Sequence, residues 1–385
     1  MRFKVGEKMI YFDNAATSGH KPKVVIDTVN NALRNYSANP GRSGYKASMD
    51  TAIAVYNIRK KLGDFFGCDG AEQVCFTANC THSINFVLNG VLENGDHIIV
   101  SSLEHNAVMR PLCNLRENKG ITFDIANVDL LNSKNTVENF EKLIKPNTKM
   151  IFTTHGSNVI GTVVPIKEIG EICRKKGILF GVDAAQSAGV LRINMKEMNI
   201  DYLCVAAHKG LYAPMGIGVL IARKPINNIT VLGGTGSNSK QMQQPENFPE
   251  RIESGTISVP NILGIGAGID FIKSVGQNKI YEKELSITKY LYEKLFDLGC
   301  ILYAPFPQKD EYLPVLSFNI KGKNSLEIAD YLGKEGIAVR GGLHCAPYAH
   351  ISIKTEDIGT VRISPSIYNN KNHCDKLIFS LKKYK

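Results

Sequence analysis

The sequence contains no apolar run that approaches the roughly 20 residues a helix needs to cross a bilayer. It also contains no CxxC pair, no internal repeat and no low-complexity tract. The first absence argues against a membrane partner. The start, MRFKVGEKMIYFDNAATSGHKPK, is charged and carries turn signals, so it lacks the continuous apolar core of a signal peptide. A cytoplasmic location is therefore expected. The nine cysteines are odd in number and scattered, which without CxxC spacing excludes both a disulfide framework and a zinc knuckle. They are expected to be reduced and mostly buried, and no metal is expected. The formal charge of +10 would suit nucleic acid, but the lysines, as in CRKKGI and LKKYK, are dispersed rather than gathered with aromatics. A solvated basic surface is the better reading, with no nucleic-acid partner; it would suit an anionic cofactor or an acidic protein.

What is present is an ordinary globular composition, 43% hydrophobic and 21% charged, in 385 residues, enough for a large core and two domains. From about residue 70 to 222, short apolar runs alternate with longer amphipathic stretches. The runs are QVCFT (73–77), HIIVS (97–101), ITFDIA (121–126), KMIFTT (149–154), ILFGVD (178–183), YLCVAA (202–207) and GVLIA (218–222). That alternation predicts an α/β protein with a parallel sheet covered by helices. In PIKEIGEICRKKG (165–177), proline opens a helix and glycine ends it. Residues 233–256, rich in Gly, Ser, Asn, Gln and Pro, read as a long loop, functional or disordered. A helical region over about 261–298 follows. Strand, helix and strand signals at VLSFNI, SLEIADYLGKEG and IAVRG then suggest a second, smaller α/β unit.

The residues able to carry chemistry sit where predicted strands end. Asp183 closes ILFGVD, where the loops of an open α/β sheet form a ligand crevice, and a carboxylate there needs a cation or a strong donor. Lys209 follows YLCVAA in a turn with Gly210, Pro214, Gly216 and Gly218. A lysine held out of water attacks carbonyls, and a neighbouring lysine and aspartate are what pyridoxal phosphate requires: one binds the aldehyde, the other keeps the ring nitrogen protonated. Taken singly, Asp183 reads equally as a helix cap and Lys209 as a surface lysine. TANCTHSIN (77–85) enters a helix with Asn, Thr and Ser at its mouth, which makes either a phosphate site or an ordinary cap. His105, in SSLEHNAVMRP, either stacks on a flat cofactor or is a hydrogen-bonded structural histidine. VRGGLHCAP (339–347) holds Cys345, either a nucleophile or a small buried hydrophobe.

The combination FDNAAT, EHNAV, THGSNVIGTVVPI, VDAAQSAG, HKGLYAPMGIGVL, ESGT, RGGLHCAP and VRISPSIYNN resembles the class V aminotransferase group of pyridoxal-phosphate enzymes. Within it, the chain is most similar to cysteine desulfurases of the SufS-like, selenocysteine-lyase-like branch. The resemblance runs from about residue 10 to 375 in the family's order. It implies a fold-type-I homodimer with a large cofactor-binding domain (15–258) and a small C-terminal domain (259–385) joined by residues 1–14. It implies pyridoxal phosphate on Lys209 as a Schiff base, Asp183 at the pyridine nitrogen, Gln186 at the phenolic oxygen and His105 stacked on the ring and moving protons. Thr81, His208 and the amide of Cys80 would hold the phosphate, and Thr256 would reach the phosphate of the neighbouring subunit. Asn158 and Arg362 would bind the carboxylate of L-cysteine or L-selenocysteine, with Arg340 nearby, and Cys345 would be the sulfur acceptor.

Cys345 would then carry a persulfide, leaving alanine, for transfer to a sulfur-acceptor protein and iron–sulfur or thiolated products. Its attack needs thiolate, so a lowered pKa is expected, with His344, Arg340 or the cofactor as the cause. The two glycines before it suit a loop that brings it over the cofactor. The sequence departs from the family pattern at Ala206, a frequent serine ligand of phosphate, at Cys80, usually threonine, and at His82, usually acidic; GGTGSNS (233–239) would compensate with extra donors. Alternative readings are a selenocysteine lyase, another β-eliminating lyase or an aminotransferase with Cys345 incidental, and a basic scaffold that uses the fold without cofactor.

Overall fold

The computed structural model describes residues 9–41, 43–236 and 240–385. Residues 1–8 of the expected N-terminal segment and residues 237–239 of GGTGSNS lie outside the described residues. Strand β1 (Ile10–Tyr11) and helices α1 (Lys23–Asn35) and α2 (Lys46–Phe66) come first. Then follow β2 (Val74–Thr77), α3 (Cys80–Val91), β3 (His97–Ser101), α4 (Asn106–Lys119), β4 (Thr122–Ala126), α5 (Ser133–Lys142), β5 (Thr148–Thr154), α6 (Ile166–Lys176), β6 (Leu179–Asp183), β7 (Tyr202–Val205) and β8 (Gly218–Ala222). Strands β2 to β8 fall within two residues of the predicted apolar runs. They make a seven-stranded sheet in the order β2-β8-β7-β6-β5-β3-β4.

The sheet is mostly parallel, but β8 runs against both β2 and β7. No helix lies between β7 and β8, and without a crossover a chain returns antiparallel. Side chains alternate between faces with the period of a strand. Phe76, Ile99, Ile151, Val182, Leu203 and Val219 pack with α2, α6 and a later helix, whereas Cys75, Val100, Phe152, Cys204 and Leu220 pack with α3 and α4. Covered on both faces, these strands read as continuous apolar runs.

The described residues of 223–258 form no helix or strand, yet they are pinned to the core. The Glu253 carboxylate accepts from Arg59 Nη1 and Nη2 at 2.7 and 2.6 Å and from the Phe76 amide at 2.6 Å. The predicted helical region is two helices, α7 (Val259–Val275) and α8 (Gln277–Asp297), parted at Gly276, whose φ of +96° breaks the helix. In α7, a Cβ on Gly268 would lie 1.9 Å from the Leu211 carbonyl oxygen, so this glycine lets the helix press against the turn after β7.

The rest of the chain gives β9 (Ile301–Leu302), β10 (Leu316–Asn319), α9 (Ser325–Lys334), β11 (Ile337–Ala338), β12 (Arg340–Gly342), α10 (Pro347–Ser352), β13 (Thr360–Ile363) and α11 (Lys371–Tyr384). Strands β12-β13-β10-β9 form an antiparallel sheet, while β11 pairs in parallel with β1. The run IAVRG is thus two strands rather than one. Ile10 and Phe12 pack with Leu316, Phe318, Val361 and Leu377, so the start of the described chain belongs to the C-terminal core.

Candidate functional site

The strands that run parallel all end at one edge of the sheet, and their following turns enclose a cavity of about 550 Å³. Cys80 and Thr81 enter it after β2, His105 after β3, Asn158 after β5, Asp183 and Gln186 from β6, and Ala206, His208 and Lys209 after β7. The carboxyl edge of such a sheet is where backbone polarity and loop freedom coincide.

Asp183 is 4% exposed. Burial raises its pKa, while the Ala185 amide, donating at 2.8 Å, and the charge of Lys209 oppose the rise. It begins a turn rather than capping a helix. Burial pushes the Lys209 pKa down, with Asp183 opposing. Asn79 caps α3 by accepting from the His82 amide at 3.0 Å, so the cap and the helix mouth coexist. The Cys80 thiol points to Asp183 Oδ1, 3.7 Å away, and so toward the carboxylate end of the cavity.

His105 caps α4, its Nδ1 accepting from the Ala107 amide at 3.0 Å. That bond places the ring proton on Nε2. Burial, followed by the charge of Lys209, pulls its pKa down to about 4, so the ring is neutral. His208 is likewise lowered to about 4 by burial; its Nδ1 lies 3.0 Å from Thr17 Oγ1. Gln186 donates to the Ala15 carbonyl at 3.0 Å.

Above the cavity edge, Arg362 is 1% exposed. Its Nη1 donates to the Asn158 carbonyl at 2.9 Å and its Nη2 to Asp13 at 2.7 Å. Asn158 Nδ2 donates to the His344 carbonyl at 2.8 Å, which ties the turn after β5 to the segment carrying Cys345. Arg340 faces Arg362 across β12 and β13, so both cations lie on one face of the pair. Arg340 Nη2 lies 3.6 Å from Cys345 Sγ.

Cys345 is the exposed one among nine free cysteines, with φ of +59°, and follows His344 at +51°. Two successive left-handed residues without glycine indicate a strained segment. Two expectations change here. Gly341 and Gly342 lie in strand β12 rather than in a loop, and the turn is made by His344 and Cys345 themselves. His344 supplies no charge to the thiol: it is buried, its Nε2 lies 3.1 Å from Thr360, and burial pushes its pKa down to about 2. Arg340 is the cation beside Cys345.

Thr256 does not line the Lys209 cavity of its own chain; it stands 3.5 Å from Asn39. Neither Gly233 to Gly236 nor any other described part of GGTGSNS lines that cavity. Three residues gained no role from sequence reasoning. Asp13, within FDNAAT, neutralises Arg362. Lys21 donates to the His208 carbonyl at 3.0 Å and is lowered to about 8 by burial. Glu104, beside His105, is buried and accepts from the Thr154 amide at 2.8 Å, joining the ends of β3 and β5. Burial raises its pKa to about 8. Their place inside FDNAAT and EHNAV was the available signal for Asp13 and Glu104.

Among the described residues no group of three or more His, Cys, Asp or Glu side chains is placed to hold a metal ion, and no helix is long and apolar enough to cross a membrane. A probable cysteine desulfurase of Pyrococcus abyssi is 32% identical over 94% of this chain and 91% of that protein. A cysteine desulfurase of Haloferax volcanii is 28% identical over 96% and 88%. The apo structure of the cysteine desulfurase from Thermococcus onnurineus NA1 superposes with a TM-score of 0.88 at 29% identity, covering 98% of this chain and 94% of that one. The aminotransferase class-V model matches residues 10–377, which take in β1, the whole seven-stranded sheet and the first half of α11. With Lys209, Asp183 and His105 gathered at the edge of that sheet, the chain belongs to the aminotransferase class-V family.

Proposed function

We propose that the protein is a pyridoxal-phosphate-dependent cysteine desulfurase, converting L-cysteine to L-alanine and passing the sulfur to Cys345. The observation that carries this reading is an exposed cysteine beside Arg340, an arginine with no carboxylate partner among the described residues, on the wall of a groove that adjoins the cavity of Lys209 and Asp183. Those residues fit the cofactor. Asp183 supplies the negative charge a pyridinium nitrogen needs, Lys209 the amine its aldehyde needs, and the mouth of α3 with Thr81 and His208 the donors for phosphate. Gln186 would meet the phenolic oxygen. Cys80 contributes its amide, since its thiol is turned toward Asp183.

The bound cofactor supplies an electron sink that weakens the bonds at the substrate Cα and, through it, Cβ–Sγ. Around it the chain's own residues act. Arg362, steadied by Asp13 and the Asn158 carbonyl, and Asn158 hold the substrate carboxylate. Lys209 Nζ, its pKa lowered by burial, takes the proton from Cα. Neutral His105, with its proton on Nε2, would face the cofactor ring and return a proton as alanine forms. Cys345 Sγ attacks the substrate Sγ, and Arg340 stabilises the anionic sulfur.

We take residues 15–258 as the cofactor-binding domain and 259–385 with the N-terminal segment as the small domain, working in the cytoplasm. The protein acts as a homodimer: Val24, Ile26 and Leu33 of α1, Met49 and Ile53 of α2, and Met242 are exposed apolar side chains, and Thr256 would serve the second copy's phosphate. An acceptor takes the persulfide sulfur onward for iron–sulfur or other sulfur-containing products. Alanine release from L-cysteine in the presence of reductant tests the reading. Holoenzyme forms alanine, and Cys345→Ala keeps its yellow colour while losing alanine formation; equal release from both would return the site to an elimination or transamination chemistry.

A further inference from the structure

A second cavity, a groove of about 420 Å³, adjoins the Lys209 cavity and shares Thr81, His105 and Ala107 with it. Cys345 lies on its wall. Two helices build it with one spacing: Thr81, Asn85 and Asn89 from α3, and Asn106, Arg110 and Asn114 from α4. Steps of four residues place each trio on a single helix face. No carboxylate lines the groove.

Arg110 is exposed and forms no hydrogen bond or ion pair with any described residue. Asn85 and Asn89 dock their amides back on their own helix, onto the Thr81 and Asn85 carbonyls at 2.9 Å. The groove therefore offers uncharged polar walls and one free, fork-shaped cation. It lacks the apolar and aromatic anchors on which protein partners rely. Its volume is that of a small-molecule site.

We propose that this groove binds a small thiol bearing a carboxylate, held by Arg110, which collects the sulfur from Cys345. The proposal rests on the desulfurase reading. The acceptor thiolate attacks the outer sulfur of the Cys345 persulfide; a bond forms between those sulfurs, and the bond to Sγ breaks with its electron pair left on Cys345. One persulfide and one thiol become one thiol and one persulfide, with no outside oxidant or reductant, and the acceptor's proton passes to the thiolate released. Arg340, 3.6 Å from Sγ, stands beside that leaving thiolate.

The test uses holoenzyme charged with L-cysteine, and its alanine burst reports on the desulfurase reading independently of transfer. Loss of the Cys345 persulfide is then followed by mass spectrometry with 3-mercaptopropionate, 2-mercaptoethanol or cysteamine. Half-saturating concentrations are compared, because the thiols differ in intrinsic reactivity. The anionic thiol is expected to saturate at about tenfold lower concentration than the neutral one, the gain of a charge-assisted pair. Arg110→Ala abolishes that preference, and Arg110→Glu shifts it to cysteamine. Equal saturation by all three thiols in the unmodified protein, or a preference that survives Arg110→Ala, overturns the proposal. A burst followed by persulfide that only a protein thiol discharges overturns it too, and absence of the burst removes the desulfurase reading with it.

Discussion

Asp183 sits where burial favours the neutral acid and three neighbours favour the anion. Asp183→Asn keeps the volume and the Ala185 contact but removes the charge opposite Lys209. Alanine formation should fall by about 10²–10³-fold, the usual loss when one preorganised electrostatic partner is deleted. Single-turnover kinetics on variant holoenzyme measures it, and a loss under tenfold would show that the charge is dispensable. Asp183 and Lys209 were legible in the sequence because each follows an apolar run of strand length. Arg362 drew attention only by resemblance. Nothing local to VRISPS tells that its arginine is 1% exposed and answered by Asp13 at the other end of the chain. The role of His344 was misjudged for a similar reason: its neighbour in sequence is Cys345, but its neighbour in space is Thr360.

At the scale of elements, the turn carrying Lys209 depends on what lies behind it. Gly268→Ala would drive a methyl group into the Leu211 carbonyl, two residues beyond Lys209. An overpacked site of this kind costs about 1–3 kcal/mol. Urea unfolding should register that loss, together with a weaker hold on the cofactor; an unchanged midpoint would mean that α7 yields freely. The long segment 223–258 has a different anchor. Arg59 and Glu253 are paired with side chains 9% and 8% exposed. Glu253→Gln leaves a buried cation without its partner, an effect worth about 3–5 kcal/mol. Strand positions were readable because seven strands covered on both faces have no polar side to confuse the pattern. The reversal of β8 was not, since its direction follows from a missing crossover. Residues 233–256 read as a long loop because contacts such as Glu253 to Phe76, which hold the described part of it, are single and long-range and leave no periodic trace.

For the whole molecule, buried titratable groups set the response to pH. His105, His155 and His208 are lowered to about 4 and His344 to about 2, chiefly by burial. The unfolded chain binds their protons near 6.5, so the stability they lend is complete above that pH and is lost as pH falls toward 4. Glu104 and Glu284 are raised to about 8 by burial. Glu284, on α8, is hydrogen-bonded to Tyr212 and accepts the Ile367 amide at 3.0 Å. For these acids the folded state holds protons that the unfolded chain has released, so stability falls as pH rises from about 4.5 through 8. Thermal midpoints should therefore peak near pH 6 to 7 and decline on both sides, and Glu284→Gln should flatten the alkaline decline. A midpoint that climbs steadily to pH 9 would contradict the assignment of neutral carboxyls.

The bond from Arg362 to Asp13 joins positions 349 apart. A ribosome therefore makes Asp13 long before Arg362. Over the 153 residues between Lys209 and Arg362, the growing chain has the lysine and the carboxylate of the cavity but not yet this arginine. A copy that stops before β13 would hold Lys209 and Asp183 yet leave Asp13 without its cation, so the cavity and the pair above it are completed at different times.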